Sequence, residues 1–578
     1  MSCFEYTGKT ACPQPYHWSF RAMPCVSGRR CKPILRGGIT RRNCTVELHC
    51  GNEDLFAVSF NGRFLERCFL EQCFLEKGVF FREGRGIMGG CLYRITGRSG
   101  PIEPPVSDTI NGFLMLSSCM GFPQLSRRML MTQTTRRSFL KRSAATAGAA
   151  LATPYLFSSA QPLRAEAAND RLRIGCIGVG SMGKGDARDF SHLCDIAAIC
   201  DVDSDYGLAQ AMNVGEIARY KPDQYKDYRK ILERKDIDVV SIVTVDHWHV
   251  KIAIEALQAG KHVFCQKPLT LTVEEGKRIR DAVKKYPKQV FQVGTQQRAQ
   301  RDEFLLAALM VRKGVLGDIT KMTADIGNNP VSGPLAKEAA PESLDWDFWQ
   351  GQCKPVDYIK RRCHYEYRWW YEYSGGKYTD WGAHHIDFAH WALGEVGEGM
   401  GPTSVKPIMI KNTVEFKDGY PTADDCYNTP EHFEVSCKFP SGIELLVVSR
   451  SQDGNGILIE GTKGKIHVNR GRIAGKAIEE KWHEGVVTEE DFVAMYNGKP
   501  FERNHKKNFI NCIREGGTPV SDVISHVQSM NTCHLCAIAS RLNREIKFDP
   551  KTETIQGDEQ ASAFLSSPQR KGFEIPVV

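Results

Sequence analysis

From Arg171 onward the apolar positions fall into short strand-like runs that alternate with stretches of helical period. Arg171–Ile177 reads as a buried strand, Asp186–Cys194 as a helix and Ile196–Cys200 as a second strand. Asp238–Val245 is a β-rich run, followed by an amphipathic helix over Val250–Ala259 with Gly260 placed as its C-cap. Lys261–Cys265 is another strand, Thr272–Lys285 a helix opened by Thr272 and Glu275 as a capping box, and Gln289–Val293 a fifth strand. This alternation predicts an α/β domain built on a doubly wound parallel sheet. Ligands in such sheets bind beyond the carboxyl ends of the strands. After His432 the pattern changes to successive strands, Phe433–Phe439, Gly442–Arg450, Gly456–Glu460 and Lys465–Asn469, with Gly461-Thr462-Lys463-Gly464 as a hairpin turn. Helical segments over Asn504–Arg514 and Val523–Leu542 follow.

The first 130 residues show no such order. Their apolar pairs (Phe69-Leu70, Phe74-Leu75, Phe80-Phe81) keep neither period, and their ten cysteines form no paired C-x2-C units. The expectation is a spurious or unstructured extension, with the working protein starting at Met129 or Met131. Thr135-Arg136-Arg137-Ser138-Phe139-Leu140-Lys141, a mildly apolar stretch from Ala144 to Ala160 and the A-x-A site Ala165-Glu166-Ala167 together read as a twin-arginine signal peptide over residues 131–167. Export by the twin-arginine machinery to the periplasm is the expectation. That route carries folded proteins, so it suits an enzyme that acquires its cofactor before leaving. The expected division is then a doubly wound α/β domain over 168–297 and a second α/β domain over 298–578; the motifs and the resemblance below assign nucleotide binding to the first and substrate binding and assembly to the second.

Charge sharpens this division. The chain carries a net charge of +8, which suggests an acidic partner. Residues 1–167 hold 22 Lys/Arg and 11 Asp/Glu, whereas residues 168–578 hold 54 and 57. The basic excess belongs to the leader and what precedes it. The remainder is close to neutral, which removes the electrostatic case for nucleic acid or membrane binding. The eleven cysteines after residue 130 are scattered, several of them in strand runs (Cys176, Cys200, Cys265), and read as packed thiols. No run of 18 apolar residues follows residue 170, so no membrane insertion of the mature form is expected.

The first strand runs into Gly178-Val179-Gly180-Ser181-Met182-Gly183, a G-x-G-x-x-G. Gly178 permits a tight turn, Gly180 lets the backbone approach a pyrophosphate, and Gly183 allows close helix–strand packing. The phosphates would sit on the helix N-terminus, beside Ser181 and Met182. Asp201 ends the second strand, where a carboxylate can accept hydrogen bonds from a ribose 2′-hydroxyl and would repel a 2′-phosphate. NAD is therefore favoured over NADP. Later strands end in Asp246-His247-Trp248-His249, Gln266-Lys267-Pro268 and Gly294-Thr295-Gln296-Gln297-Arg298.

These residues resemble the Gfo/Idh/MocA oxidoreductases. The likeness rests on Gly178–Gly183, on His249, on Ala256–Val263 leading to Lys267-Pro268, and on Gly375–Asp387, where Asp380, Gly382, His384 and Asp387 match D-x-G-x-H-x-x-D. One departure is Gln266, where the family more often has Glu. The resemblance implies a Rossmann domain followed by an α+β domain with an open, mostly antiparallel sheet, and a dimer or tetramer. It also implies hydride transfer to or from a secondary alcohol or carbonyl of a sugar, inositol or related polyol. A glycosidase that uses NAD transiently is the alternative. Hydride transfer from an alcohol needs a base at the hydroxyl and a cation for the developing charge. Lys267 is the expected contact to both nicotinamide ribose and substrate, His384 the proton acceptor, and Asp380, four residues before it, the group that orients the imidazole or binds hydroxyls. His247 is expected at the nicotinamide pocket, and Trp248, Arg298 and Arg368 are candidate substrate contacts. The aromatic stretch between Asn328 and Ser374 suits carbohydrate, or else a loop with its own small core. No metal is assigned: His384, His385, Asp387 and His390 admit one by composition only.

Overall fold

The computed structural model describes residues 171–578, together with four strands nearer the N-terminus. Those four, β1 (Ile34–Ile39), β2 (Asn43–Cys50), β3 (Asp54–Asn61) and β4 (Tyr93–Ile95), form an antiparallel sheet in the order β3-β2-β1-β4. The signal segment expected at 131–167 lies outside the described residues.

The first sheet after residue 171 has six parallel strands: β5 (Arg173–Ile177), β6 (Asp195–Cys200), β7 (Asp223–Tyr225), β8 (Val239–Ile242), β9 (His262–Cys265) and β10 (Phe291–Val293). Their order is β10-β9-β8-β5-β6-β7. The chain therefore winds outward from β5 in both directions, and the crevice between β5 and β8 is the topological switch point. Three of the five crossovers carry a helix of ten residues or more: α1 (Ser181–Phe190), α2 (His249–Gln258) and α3 (Val273–Lys285). α1 starts at Ser181, not at Asp186, because the turn after Gly180 passes straight into helix and Gly183 is already helical. α2 stops where Gly260 takes a φ of +79°. At the start of α3 the Thr272 side chain accepts the Glu275 N–H at 3.2 Å, and the Glu275 carboxylate accepts the Leu271 N–H at 2.6 Å. β7 carries no apolar run and is held by its pairing with β6.

The second sheet has nine strands, in the order β19-β18-β17-β11-β16-β15-β12-β20-β21. They are β11 (Ile319–Asp325), β12 (Ser404–Lys411), β15 (His432–Lys438), β16 (Glu444–Val448), β17 (Gly456–Gly461), β18 (Lys465–Asn469), β19 (Arg472–Ala474), β20 (Ile546–Asp549) and β21 (Thr554–Ile555), while β13 (Phe416–Lys417) and β14 (Tyr420–Pro421) make a separate ribbon. All neighbouring pairs are antiparallel except β11 with β16. Alternate residues such as Met322, Ala324, Val435, Leu445, Val447, Ile457 and Ile459 face a helical layer. That layer comprises α4 (Leu306–Arg312), α5 (Lys377–Asp380), α6 (Gly382–Leu393) and α8 (Val523–Leu542), with α7 (His505–Glu515) preceding the last. Each fully buried Leu, Ile, Val or Phe contributes about 1.5–3 kcal/mol.

The division near residue 298 is not clean in space. One face of the parallel sheet packs on α1 and on Phe509 and Ile510 of α7. The other packs on α2, α3, Val523 and Val527 of α8, and Ile575 of the C-terminal tail. The aromatic stretch forms its own core, with Trp349, Tyr358, Tyr367, Trp369, Trp370 and Tyr373 buried around Tyr427.

Candidate active site

The glycine turn lies at the switch point. Gly178 has a φ of +77°, and its N–H donates to Cys200 O at 2.8 Å. A Cβ on Gly183 would lie 1.9 Å from Gly178 O, and one on Gly180 would meet the Tyr206 ring at 2.9 Å. The N-terminus of α1 has no side-chain cap, so its first N–H groups are left for a ligand. A groove of about 1050 Å3 runs along this turn. Its near wall includes Gly178, Gly180, Ser181, Met182, Gly183, Asp201 and Tyr206; its far wall is Phe348, Trp349, Tyr365, Tyr367 and Arg368 from the aromatic stretch. A backbone cradle that admits no Cβ, an uncapped helix and an acid at the end of β6 fit a dinucleotide.

Asp201 stands at the groove wall at the end of β6. Its carboxylate accepts the Val179 N–H at 2.9 Å and the Asp203 N–H at 3.0 Å. Burial pushes its pKa up to about 6, with those backbone donors opposing the rise. Asp203 accepts the Asp205 and Tyr206 N–H groups, each at 2.9 Å, and so sets the Tyr206 ring, which stacks on His364 at 3.8 Å between centroids.

At the carboxyl end of β9, Gln266 donates to Asp186 Oδ2 at 2.6 Å, turning away from the Lys267 amine. His249 Nδ1 lies 2.7 Å from Pro268 O and its Nε2 3.2 Å from Thr244 O, so one ring N–H donates to a carbonyl at the ends of β8 and β9. Lys267 Nζ donates to Asp380 Oδ1 at 2.7 Å and to Asp380 O at 3.0 Å. Asp380 closes α5, which follows a turn where Gly376 has a φ of +61° and Thr379 Oγ1 accepts the Gly375 N–H at 2.9 Å. Arg368 Nε lies 3.5 Å from Asp380 Oδ1 and Lys377 Nζ 3.7 Å from Oδ2. Burial alone would raise the Asp380 pKa; Lys267, Arg368 and Lys377 outweigh it and hold the carboxyl well below the usual range. His384 follows on α6. Burial, then the charges of Lys267 and Arg470, push its pKa well below the ordinary value, and its buried Nδ1 has no protein partner. The imidazole is thus a neutral acceptor beside an ion pair.

Several expected roles are corrected. Asp380 does not orient His384: its carboxylate is committed to Lys267, and a break at Trp381 separates α5 from α6. His247 is fully buried away from the groove, with Nε2 2.9 Å from Trp349 O, among Trp349 and Tyr373 rings, and burial lowers its pKa to about 3. Arg298 is no substrate contact. Its guanidinium is buried against Asp387, Val520 O and Ser525 Oγ, because the strand-end segment turns inward under α6. Trp248 reaches the groove wall, but its indole N–H donates to Trp349 O at 2.9 Å and its ring packs on Tyr228 and Phe348. His385 faces Gln297 and Asn455, and His390 faces Glu395 O and Thr532, so these two do not converge with Asp387 on a common point. Arg368 does reach the site.

The sequence reading missed Asp246, Lys377 and Arg470. Asp246 Oδ2 accepts from Ser374 Oγ at 2.6 Å and Oδ1 accepts from Tyr367 OH, which fixes the turn leading to Asp380. Lys377 stands three residues before Asp380, a spacing that marks it. Arg470, between β18 and β19, has no local signal.

Residues 172–295 match the model of the oxidoreductase family's NAD-binding Rossmann fold, and residues 331–575 match that of its C-terminal alpha/beta domain, both under the Gfo/Idh/MocA name. The chain belongs to the Gfo/Idh/MocA oxidoreductase family. Among curated relatives of this Gfo/Idh/MocA protein, a Glycosyl hydrolase family 109 protein of Shewanella pealeana is 34% identical over 202 residues, which is 32% of this chain and 44% of that protein. An Alpha-N-acetylgalactosaminidase of Shewanella oneidensis is 32% identical over 203 residues, with the same shares. The match spans less than half the length of these relatives. Solved structures that resemble this Gfo/Idh/MocA chain include levoglucosan dehydrogenase in complex with NADH and L-sorbose (21% identity, 65% of this chain, 98% of that one, TM-score 0.45). Another is the aldose-aldose oxidoreductase of Caulobacter crescentus with glycerol (18% identity, 65% and 100%, TM-score 0.45).

Proposed function

We propose that the protein is an NAD-dependent oxidoreductase acting on a secondary alcohol or carbonyl of a sugar or polyol. The observation that carries this reading is the Lys267–Asp380 ion pair at 2.7 Å, set beside the neutral imidazole of His384 at the carboxyl edge of the parallel sheet. NAD, held by Gly178, Gly180, Ser181, Met182, Gly183 and Asp201, supplies a hydride acceptor or donor when bound. His384 takes the hydroxyl proton, because an uncharged imidazole has a free lone pair to receive it. Lys267 stabilises the negative charge that grows on the substrate oxygen. Asp380 fixes the position of that amine. Tyr367 and Arg368 on the far wall help exclude water from the groove.

The named relatives support a second reading in which oxidation is transient and a glycosidic bond is cleaved. Such a reaction gives no net NADH. A panel of free sugars and aryl glycosides, followed at 340 nm and by leaving-group release, separates the two. Net NADH without leaving group supports the first, and leaving group without net NADH the second. Lys267→Met is expected to lower turnover by about 10²–10⁴-fold while the fold, read by circular dichroism, is kept. Near-normal turnover in that variant removes Lys267 from the mechanism.

A further inference from the structure

The surroundings of Asp380 carry more positive charge than its own chemistry requires. Lys267, Arg368 and Lys377 lie 2.7, 3.5 and 3.7 Å from its oxygens, and Arg470 is close enough to interact with it electrostatically. Four cations therefore face one carboxylate. Asp246 is the next acid, and its two oxygens are held by Tyr367 and Ser374 hydroxyls. Counting it still leaves an excess of two positive charges.

The four cations are not equivalent. Lys267 gives two of its three donors to Asp380, and the third is the one it turns to the reacting hydroxyl. Arg368 is fixed by donation to Tyr365 O at 2.7 Å and lies over the Tyr365 and Tyr367 rings. Lys377 and Arg470 are different. Lys377 has its 3.7 Å ion pair and the Trp369 ring beneath it, and Arg470 lies over the Trp381 ring at 4.9 Å. Neither side chain donates a hydrogen bond of ordinary length among the described residues; Lys377 is half-buried, which lowers its pKa, while Arg470 reaches solvent at the mouth of the site. A desolvated cation with unused donors costs free energy unless an anion completes it. Trp369 and Trp381 belong to the two segments that bracket Asp380, one before it and one directly after.

We infer that Lys377 and Arg470 bind an anionic group on the substrate, so that the sugar acted on carries a carboxylate or a phosphate rather than being neutral. This rests on the oxidoreductase reading above and narrows it. Charge-assisted hydrogen bonds to an oxyanion are roughly twice as strong as neutral ones. Two of them would orient the ring while Lys267 and His384 address the hydroxyl.

The test is calorimetric binding of D-glucuronate, D-glucose 6-phosphate and D-glucose to the full chain saturated with NAD, with turnover measured in parallel. An anionic sugar is expected to bind at least about tenfold tighter than glucose, by about 1.4 kcal/mol. Its affinity should fall as salt rises. Glucuronate and glucose 6-phosphate serve as separate arms for the two sources of the anion. Lys377→Met and Arg470→Met should each shrink the anionic-to-neutral affinity ratio. Equal or tighter binding of glucose, or variants that leave the ratio unchanged, overturns the inference. Turnover of glucose alone would overturn it while leaving the oxidoreductase reading intact. Charge-selective binding with no turnover of any sugar would uphold it and remove that reading.

Discussion

Arg298 offers the sharpest test of how this structure partitions stability from chemistry. It stands at a strand end, where a substrate contact is expected, yet it and Asp387 are each only 2% exposed. Two parallel hydrogen bonds join them, Nε to Oδ2 at 2.9 Å and Nη2 to Oδ1 at 2.8 Å, while Nη1 donates to Val520 O and Ser525 Oγ. Asp387 also meets His526 Nδ1 at 3.1 Å and Ser529 Oγ at 3.3 Å. Arg298→Met removes the guanidinium and strands a buried carboxylate, which costs about 3–5 kcal/mol. Replacing both partners, Arg298→Met with Asp387→Leu, should recover much of that loss, because no buried charge is left uncompensated. The assay is urea unfolding followed by tryptophan fluorescence, with coincidence of a second probe to check two-state behaviour. Burial would raise the Asp387 pKa, but Arg298 and His526 outweigh it and hold it at about 2. A depressed acid gives stability that is complete above its unfolded pKa near ~4 and is lost as pH falls toward about 2, so wild type should shed about 2 kcal/mol over that window. Arg298→Met should lack most of this limb. Turnover per folded molecule should not change. A variant within about 0.5 kcal/mol of wild type, with impaired kcat/KM instead, would refute the assignment and return Arg298 to the substrate.

Three further outcomes follow from the site. Gly183→Ala places a methyl 1.9 Å from Gly178 O, so the turn must shift and NAD affinity, read by titration calorimetry, should fall at least about tenfold. Undiminished affinity would show that the turn does not hold the pyrophosphate. NAD affinity should also weaken as pH drops through about 6, where the Asp201 carboxyl takes a proton and loses acceptor capacity; a flat profile from pH 8 to pH 5 (roughly one unit either side of the transition and more) would exclude it from ribose binding. His384 is already neutral, so kcat at saturating NAD should show no acid limb near the ordinary histidine pKa of ~6.5, and His384→Gln should lower kcat by about 10²–10⁴-fold.

Much of this architecture was legible because it depends on local pattern. The buried runs around Ile174, Val240 and Val263 and the glycines at 178, 180 and 183 specify the parallel sheet and its turn by burial and sterics alone. β7 was not legible, since Asp223–Tyr225 is polar and is recruited by the hydrogen-bonding edge of β6. The site divides the same way. Lys267, Asp380 and Arg368 do meet, and each lies in a recognisable segment. The partners of Arg298 and His247 are set by tertiary packing, with Asp387 89 residues away from the first and Trp349 102 from the second. Arg470 arrives through a sheet register that no short-range pattern encodes.

The helical layers of the nucleotide-binding sheet are completed by residues from the far end of the chain. Phe264 touches Phe509 on one side, and Ile575 joins the core on the other. During synthesis the strands leave the ribosome long before these partners exist. Both faces of the sheet therefore stay partly bare until the last helices emerge. Cut from its C-terminal helices, the Rossmann segment would expose the apolar seats of Phe509, Ile510, Val523, Val527 and Ile575 to water.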